Sequence, residues 1–335
     1  MTSPTRIAVI GVGSMGSIHA RVVWESPRAH LVQVIDPCEL VARELAATHG
    51  AVARHSVEEI DCDAAIVAVP TTAHADVALP LLRRGIPLLI EKPLASTRDS
   101  VTEIIATSRV EQVAVMCGFV ERFNPVVRSV YSMLDGPIRH LLAQRHSPPA
   151  DRIRSSVVND LLIHDLDVAS RFVGLDQPER GAVVSGSIAA PTRTEFSDLA
   201  DCTVRFRNGS IATLSAGRIG HRKVRSMSII TDTCLYELDL LRQNITLYRH
   251  KEHSTMPGSA GYRSETVVEI PFVRVQAEPL AAQFDHFLDL VIGEADPETE
   301  RAELVPAHEL AFRFEEMASL TAVRQKSPEL ERTIR

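Results

Sequence analysis

The chain has 335 residues, 36 of them basic and 43 acidic, for a formal net charge of −7. A hydrophobic fraction of 45% and a charged fraction of 24% exclude a disordered chain, and the negative balance excludes a nucleic-acid binder working through bulk positive charge. At about 150 residues per domain the length predicts two domains.

Residues 6–10 are a short apolar, β-branched run, read as a buried strand. Gly11-Val12-Gly13-Ser14-Met15-Gly16 follows, then a helical pattern over 18–24, then a second strand over 31–35 that ends at Asp36. A helix over 39–48 stops at Gly50. In this strand, glycine turn, helix, strand and acid, each part has a physical reason. Gly11 permits the tight turn, Gly13 lets a pyrophosphate approach the backbone, and Gly16 lets helix and strand pack closely. The helix start offers free N–H groups to phosphate. Asp36 is placed to accept both hydroxyls of an adenosine ribose and to repel a 2′-phosphate, which predicts NAD rather than NADP. The alternative is a glycine turn of another kind, with Asp36 only capping the next helix.

The alternation continues. Residues 51–55 form a short strand, Ser56 to Glu59 a capping box, and 64–69 an apolar strand ending in Pro70-Thr71-Thr72. A helix over 73–84 stops at Gly85, 86–90 is a strand, Ser96 to Asp99 open a helix to 108, and 113–118 close the series. Strands alternating with helices predict a doubly wound parallel sheet. Ligands of such sheets bind at the carboxyl ends of the strands, here the loops that begin at Gly11, Asp36, Pro70, Glu91 and Gly118.

Only four of the 36 basic residues are lysine, and one stands in Glu91-Lys92-Pro93 at such an end. There its ammonium would stabilise negative charge on a reacting oxygen; the alternative is a surface lysine in a turn. In the helical run 159–172, Asp160, His164 and Asp167 fall at i, i+4 and i+7 and share one face. His164 has the reference pKa of a general base, with Asp160 beside it, or it is a satisfied structural histidine.

In the second half, strands are predicted over 182–187, 201–207, 210–216, 224–231, 234–239, 245–249 and 266–270, with Asn208-Gly209 as a hairpin turn. Short turns predict an antiparallel sheet with one face covered by helices. Residues 250–263 read as a loop, with a lid as the functional alternative. No apolar run is long enough to cross a membrane and no signal-peptide pattern opens the chain. The five cysteines, Cys38, Cys62, Cys117, Cys202 and Cys234, show neither disulfide nor metal spacing, so no metal is expected and the expected location is the cytoplasm.

Together, Gly11 to Gly16, Glu91-Lys92-Pro93, Asp160 with His164, the stretch Glu278-Pro279-Leu280 with Phe284 to Asp289, and a last helix over 306–325 resemble the Gfo/Idh/MocA family of NAD(P)-dependent oxidoreductases. The resemblance implies a Rossmann domain over 1–121. It implies a substrate-binding and oligomerisation domain over 122–335, an α/β domain with a large, mostly antiparallel open sheet through which a homodimer or homotetramer forms. It implies Lys92, His164 and Asp160 as catalytic residues. Gly11, Gly13, Ser14, Met15, Asp36, Pro70, Thr71, His74, Glu91, Lys92 and Arg122 would hold NAD. Lys92, Arg122, Arg152, Asp160 and His164 would hold the substrate. Residues 118–125 and 160–167 are similar to the branch of UDP-N-acetylglucosamine 3-dehydrogenases and related nucleotide-sugar dehydrogenases. The implied reaction is hydride transfer between NAD and a ring carbinol of a nucleotide-linked hexose, at carbon 3. Arg139, Arg145, Arg152 and Arg154 are candidates for its diphosphate, or else solvated or paired with carboxylates such as Asp151. An inositol or free sugar is the other substrate class. A catalytically silent NAD- or sugar-binding regulator is the alternative outside enzymes, disfavoured because Lys92, Asp160 and His164 occur together.

Overall fold

The computed structural model describes residues 3–149, 155–173, 183–191, 196–254, 262–275 and 277–326. The chain folds as two compact units, one made of Met1–Phe123 with Ala277–His308 and the other of Asn124–Gln276 with Glu309–Arg335.

In the first unit six strands, β1 (Thr5–Ile10), β2 (Ala29–Ile35), β3 (Val52–Arg54), β4 (Ala64–Val67), β5 (Leu88–Ile90) and β6 (Val115–Cys117), pair in parallel in the order β3-β2-β1-β4-β5-β6. This is the doubly wound order, with its switch point beside β1. Ile7, Val9, Ala64, Ile66, Leu88 and Ile90 are buried, as expected of a sheet covered on both faces. The crossovers are α1 (Ser14–Glu25), α2 (Glu39–His49), a 3₁₀ turn (Val57–Glu59), α3 (His74–Arg83) and α4 (Arg98–Val110). Gly50, at φ +70°, closes α2 in the left-handed conformation that glycine adopts at no steric cost.

Residues 277–308, expected in the second domain, return to the first unit. The reason is the apolar stripe of α7 (Pro279–Val291), in which Leu280, Phe284, Phe287 and Leu288 recur at helical spacing and join the core of Ile7, Val9, Val22, Val23 and Leu31. Each such side chain contributes about 1.5–3 kcal/mol on burial. Arg28, bonded to Asp289 at 2.7 Å, and Arg21, bonded to Glu278 at 2.7 Å, pin the rim.

The second unit opens with α5 (Pro125–Met133), started by Pro125 and capped by the Asn124 side chain, which accepts from Val126 N–H at 3.1 Å. Its sheet has eight strands: β7 (His140–His146), β8 (Val183–Ala189), β9 (Leu199–Arg205), β10 (Ile211–Gly217), β11 (Val224–Ile230), β12 (Leu235–Asp239), β13 (Asn244–Ser254) and β14 (Tyr262–Glu269). The order is β14-β13-β12-β11-β7-β10-β9-β8, antiparallel except where β7 pairs in parallel with β10. The α/β class and the mostly antiparallel second sheet match expectation. The central strand β7 was not anticipated. Half of the expected loop 250–263 is strand: β13 runs to Ser254 and β14 starts at Tyr262, and 255–261 lie outside the described residues. Leu141, Ala143 and Arg145 of β7 are buried, while Leu142 and Gln144 are exposed. The buried side faces α6 (Ile163–Val173), where the Arg145 guanidinium holds both carboxylate oxygens of Asp165 at 2.8–3.1 Å. The last helix, α8, is Pro297–Lys326.

Candidate active site

The glycine turn after β1 has the geometry the spacing predicts. Gly11 has φ +89°, and a Cβ there would lie 2.6 Å from the Ala68 carbonyl oxygen. A Cβ on Gly16 would run into the Gly11 carbonyl. At Gly13 the result is opposite: a Cβ would meet nothing within 4 Å. Gly11 and Gly16 are therefore needed by the fold, whereas Gly13 borders open space that a bound group can fill. Gly13, Ser14 and Met15 are exposed, and no side chain caps the start of α1. Its first N–H groups thus face outward at the positive end of the helix dipole. Asp36 is half-buried: Oδ2 accepts from Val12 N–H at 2.8 Å and Oδ1 from Cys38 N–H at 2.8 Å. A carboxylate has about four acceptor positions, so two remain for ribose hydroxyls. These residues fit a dinucleotide.

On the same edge of the sheet, β5 ends in the turn Glu91-Lys92-Pro93-Leu94, which three buried imidazoles hold. His19 of α1 sits 2.7 Å through Nε2 from Glu91 Oε1, and Glu91 Oε2 accepts from the Lys92 N–H at 3.1 Å. Burial pushes the Glu91 pKa up, but the His19 hydrogen bond and the charges of His19 and Lys92 outweigh it and hold the carboxyl below its usual range. His74 of α3 lies 2.9 Å from the Pro93 carbonyl and 3.0 Å from that of Val69. Burial lowers its pKa, and a neutral imidazole donates to one of the two. His308 of α8 accepts from Leu94 N–H at 2.8 Å through Nε2 and donates through Nδ1 to the Leu304 carbonyl at 2.6 Å. Burial pushes it down to about 4, which keeps that acceptor available. Lys92 itself is half-buried. The Glu91 carboxylate also fills the space beside Gly118, where a Cβ would sit 2.9 Å from Oε2.

In the second unit the DLLIHDLD run is not a uniform α-helix. Val158–Leu162 is a π-turn that passes into α6 at Ile163. Asp160 lies in the π-turn, its Oδ2 3.4 Å from Arg218 Nη1. Arg218, just beyond β10, also donates to the carbonyls of Ser155 at 2.8 Å and Ser197 at 2.6 Å. Glu315 accepts from the Ser156 hydroxyl and from Asn159 Nδ2 at 3.2 Å. His164 follows the π-turn, 9% exposed. A π-turn inside an α-helix adds one residue and frequently marks a functional position.

Several expected ligand residues are placed otherwise. Arg122 is buried, its guanidinium bonded to Glu300 at 3.1 Å and Glu303 at 3.2 Å and lying over the Phe119 ring, because a buried charge must be paired. His74, expected beside a nicotinamide ribose, is 1% exposed and engaged with main-chain carbonyls. Pro70 is exposed and Thr71 half-buried in the turn after β4. Of the four arginines expected to cluster, Arg139 and Arg145 lie apart. Arg139 precedes β7 and pairs with Asp232 at 2.7 Å, while Arg145, near the other end of the strand, is buried on Asp165. Six residues of extended chain separate them by roughly 20 Å. Arg152 and Arg154 lie outside the described residues. Sequence reasoning passed over His19, His308 and Arg218. For His19 a cue existed: a polar residue on the buried side of α1, three after Gly16.

Comparison with known proteins agrees with this geometry. The profile of the "Oxidoreductase family, NAD-binding Rossmann fold" matches residues 5–119. UDP-N-acetylglucosamine 3-dehydrogenase of Acidithiobacillus ferrooxidans is 28% identical over 289 residues, 85% of this chain and 88% of that protein. The solved structure of that enzyme, GnnA, superposes with a TM-score of 0.79 at 26% identity, covering 95% of this chain and 99% of the other. Myo-inositol dehydrogenase Hyg17 of Streptomyces leeuwenhoekii is 31% identical over 228 residues, 63% of this chain and 69% of that protein. The 3-ketoreductase KijD10 of Actinomadura kijaniata, in complex with TDP-benzene and NADP, shares the fold with a TM-score of 0.75 at 19% identity, covering 92% of this chain and 96% of the other. With its doubly wound sheet, its Lys92 turn and these relatives, the chain belongs to the Gfo/Idh/MocA family of oxidoreductases.

Proposed function

We propose that the protein is an NAD-dependent dehydrogenase or ketoreductase that acts on a ring secondary alcohol of a sugar, most specifically a nucleotide-linked hexose at carbon 3. The observation that carries this reading is the turn Glu91–Leu94. It presents a half-buried lysine on the same sheet edge as the Gly13 cradle, and three buried imidazoles fix its backbone. Similarity to the UDP-N-acetylglucosamine 3-dehydrogenase over most of its length supports the nucleotide-linked class.

The N–H groups at the start of α1, with Gly13, would hold the pyrophosphate of the dinucleotide, and Asp36 the adenosine ribose. The nicotinamide, when bound, supplies the hydride acceptor. His164 accepts the proton of the substrate hydroxyl. Lys92 donates a hydrogen bond to that oxygen and stabilises its negative charge as the carbon-bound hydrogen departs. Asp160, tied to Arg218, orients the polar surroundings of His164. Asp36 disfavours a 2′-phosphate, and this supports NAD over NADP. The uncovered face of the eight-stranded sheet, with Leu142 and Ile211 exposed on it, is proposed as the surface of self-association.

A panel of nucleotide sugars, free sugars and inositols, each assayed for formation of reduced nicotinamide, tests the reading. Highest kcat/KM on a nucleotide sugar supports it. Preference for an inositol would move the protein to the class of Hyg17. No turnover of any carbinol, with NAD binding intact, would leave a silent binding protein.

A further inference from the structure

In the first unit Gly13 follows β1 and Asp36 follows β2, on one side of the switch point. A dinucleotide held there would place its adenosine half on the β2 side and its nicotinamide half over β4 and β5. Glu91 is the residue after β5, two strands from β1, or about 10 Å at the usual spacing.

Glu91 is 8% exposed. Oε1 meets His19 Nε2 at 2.7 Å and Oε2 accepts from the Lys92 N–H at 3.1 Å. Gly118 leaves room for the carboxylate, since a Cβ there would lie 2.9 Å from Oε2. None of these contacts requires a charge. A glutamine could accept the Lys92 N–H through its oxygen and donate to His19 through its nitrogen, without the cost of burying a carboxylate. The Nδ1 atom of His19 is buried and has no hydrogen-bond partner among the described residues. A second proton on the ring would stand there unsatisfied. The imidazole therefore donates its one proton through Nε2 to Glu91, and the pair keeps a single negative charge. The turn holds an ion where a neutral amide would serve its backbone equally well.

Such a charge acts on what binds above it. Oxidised nicotinamide is a pyridinium cation and the reduced ring is neutral, so the two forms of the cofactor differ by one charge. An equilibrium between two forms shifts only by a difference in their interactions, and here that difference is Coulombic. A unit charge within about 10 Å, at an effective dielectric of about 20, changes a binding ratio roughly tenfold.

We propose that Glu91 sets the oxidation-state preference of the cofactor, its buried carboxylate favouring NAD over NADH. This rests on the reading of the first unit as a nicotinamide-dinucleotide site. On the protein, hydride exchange between carbinol with NAD and ketone with NADH is thereby drawn toward the carbinol and NAD.

The test is titration of the full chain with NAD and with NADH, and its readout is the ratio Kd(NADH)/Kd(NAD). Glu91→Gln lowers that ratio about tenfold, which raises the potential of the bound couple by about 30 mV. Glu91→Asp retains the charge and most of the ratio. In His19→Gln/Glu91→Gln two amides restore the contact without charge, and the ratio falls as in Glu91→Gln; this variant decides the matter if the single one does not fold. Lys92 is present in all of these proteins, so its own charge cancels in the comparison. If the glutamine variants weaken both forms alike and leave the ratio unchanged, Glu91 only holds the turn and the proposal is overturned. An equal fall in Glu91→Asp overturns it too, because shape rather than charge would then be responsible. If the wild-type protein binds neither form, the dinucleotide reading itself falls and the proposal with it.

Discussion

His19 Nε2 and Glu91 Oε1 are 2.7 Å apart, with the histidine 1% and the glutamate 8% exposed. One residue belongs to the helix that starts at the glycine cradle and the other opens the turn that carries Lys92. Removing the imidazole leaves a carboxylate buried without its partner, at a cost of about 3–5 kcal/mol. His19→Ala should therefore lower the urea midpoint of the wild-type protein substantially. Adding Glu91→Gln to it should recover part of the loss, since the charge is then gone. A His19→Ala variant as stable as wild type would show that the pair does not hold the turn.

His308 gives a pH dependence of defined sign. Its ordinary pKa of 6.5 falls to about 4 in the folded protein through burial. Between those values the unfolded chain binds the proton and the folded one does not. The contribution is thus fully present above about pH 6.5 and is lost as pH falls toward 4, amounting to about 3 kcal/mol. His308→Gln, whose amide can accept from Leu94 N–H and donate to the Leu304 carbonyl, should reduce the difference in unfolding free energy between pH 7 and pH 5 relative to wild type. Identical pH profiles for the two proteins would refute the assignment.

The two glycines of the cradle should separate folding from binding. Gly16→Ala meets the Gly11 carbonyl and should lower the melting temperature sharply. Gly13→Ala meets nothing within 4 Å, so its melting should match wild type while its NAD affinity falls about tenfold or more, as loss of close backbone approach to pyrophosphate requires. Unaltered NAD binding by Gly13→Ala would remove the cradle from the binding site.

Lys92→Ala and His164→Ala should each reduce turnover of a verified substrate by about a hundredfold or more, with NAD binding retained. The decisive comparison is steady-state kcat beside a fluorescence titration of NAD. Near-normal kcat in either variant would cancel that residue's role.

Asp36→Ala should raise the affinity for NADP relative to NAD, because the carboxylate that repels the 2′-phosphate is gone. Parallel titrations of the two cofactors read the ratio. Tighter binding of NADP than NAD by the unaltered protein would overturn the cofactor reading.

The first unit was legible because most of its strands are apolar runs bounded by turn residues, and strands alternating with helices specify a doubly wound parallel sheet. The second unit was legible as strands joined by hairpins, with Gly209 at φ +89° in the Asn208-Gly209 turn. Strand β7 was not, since Arg145 stands where the alternation calls for an apolar residue. Its charge belongs in the core only because Asp165, 20 positions later, comes to meet it. The π-turn at Val158–Leu162 escaped for a related reason: apolar spacing of three and four fits an α-helix, and the added residue shows only in the hydrogen bonds. Lys92 could be named from its place at a strand end. The histidines around it come from three separate helices, so no local pattern joins them.

The return of α7 to the first unit bears on how the chain matures on the ribosome. Domains commonly fold in order as they emerge, the N-terminal one first. Here Phe284 and Phe287, which are 1% and 0% exposed in the first core, are synthesised after every strand of the second sheet. A nascent chain that has completed β1 to β6 still exposes the apolar floor that α7 will cover. Its first unit closes only when synthesis is nearly finished, so the interval of vulnerability to aggregation spans most of translation.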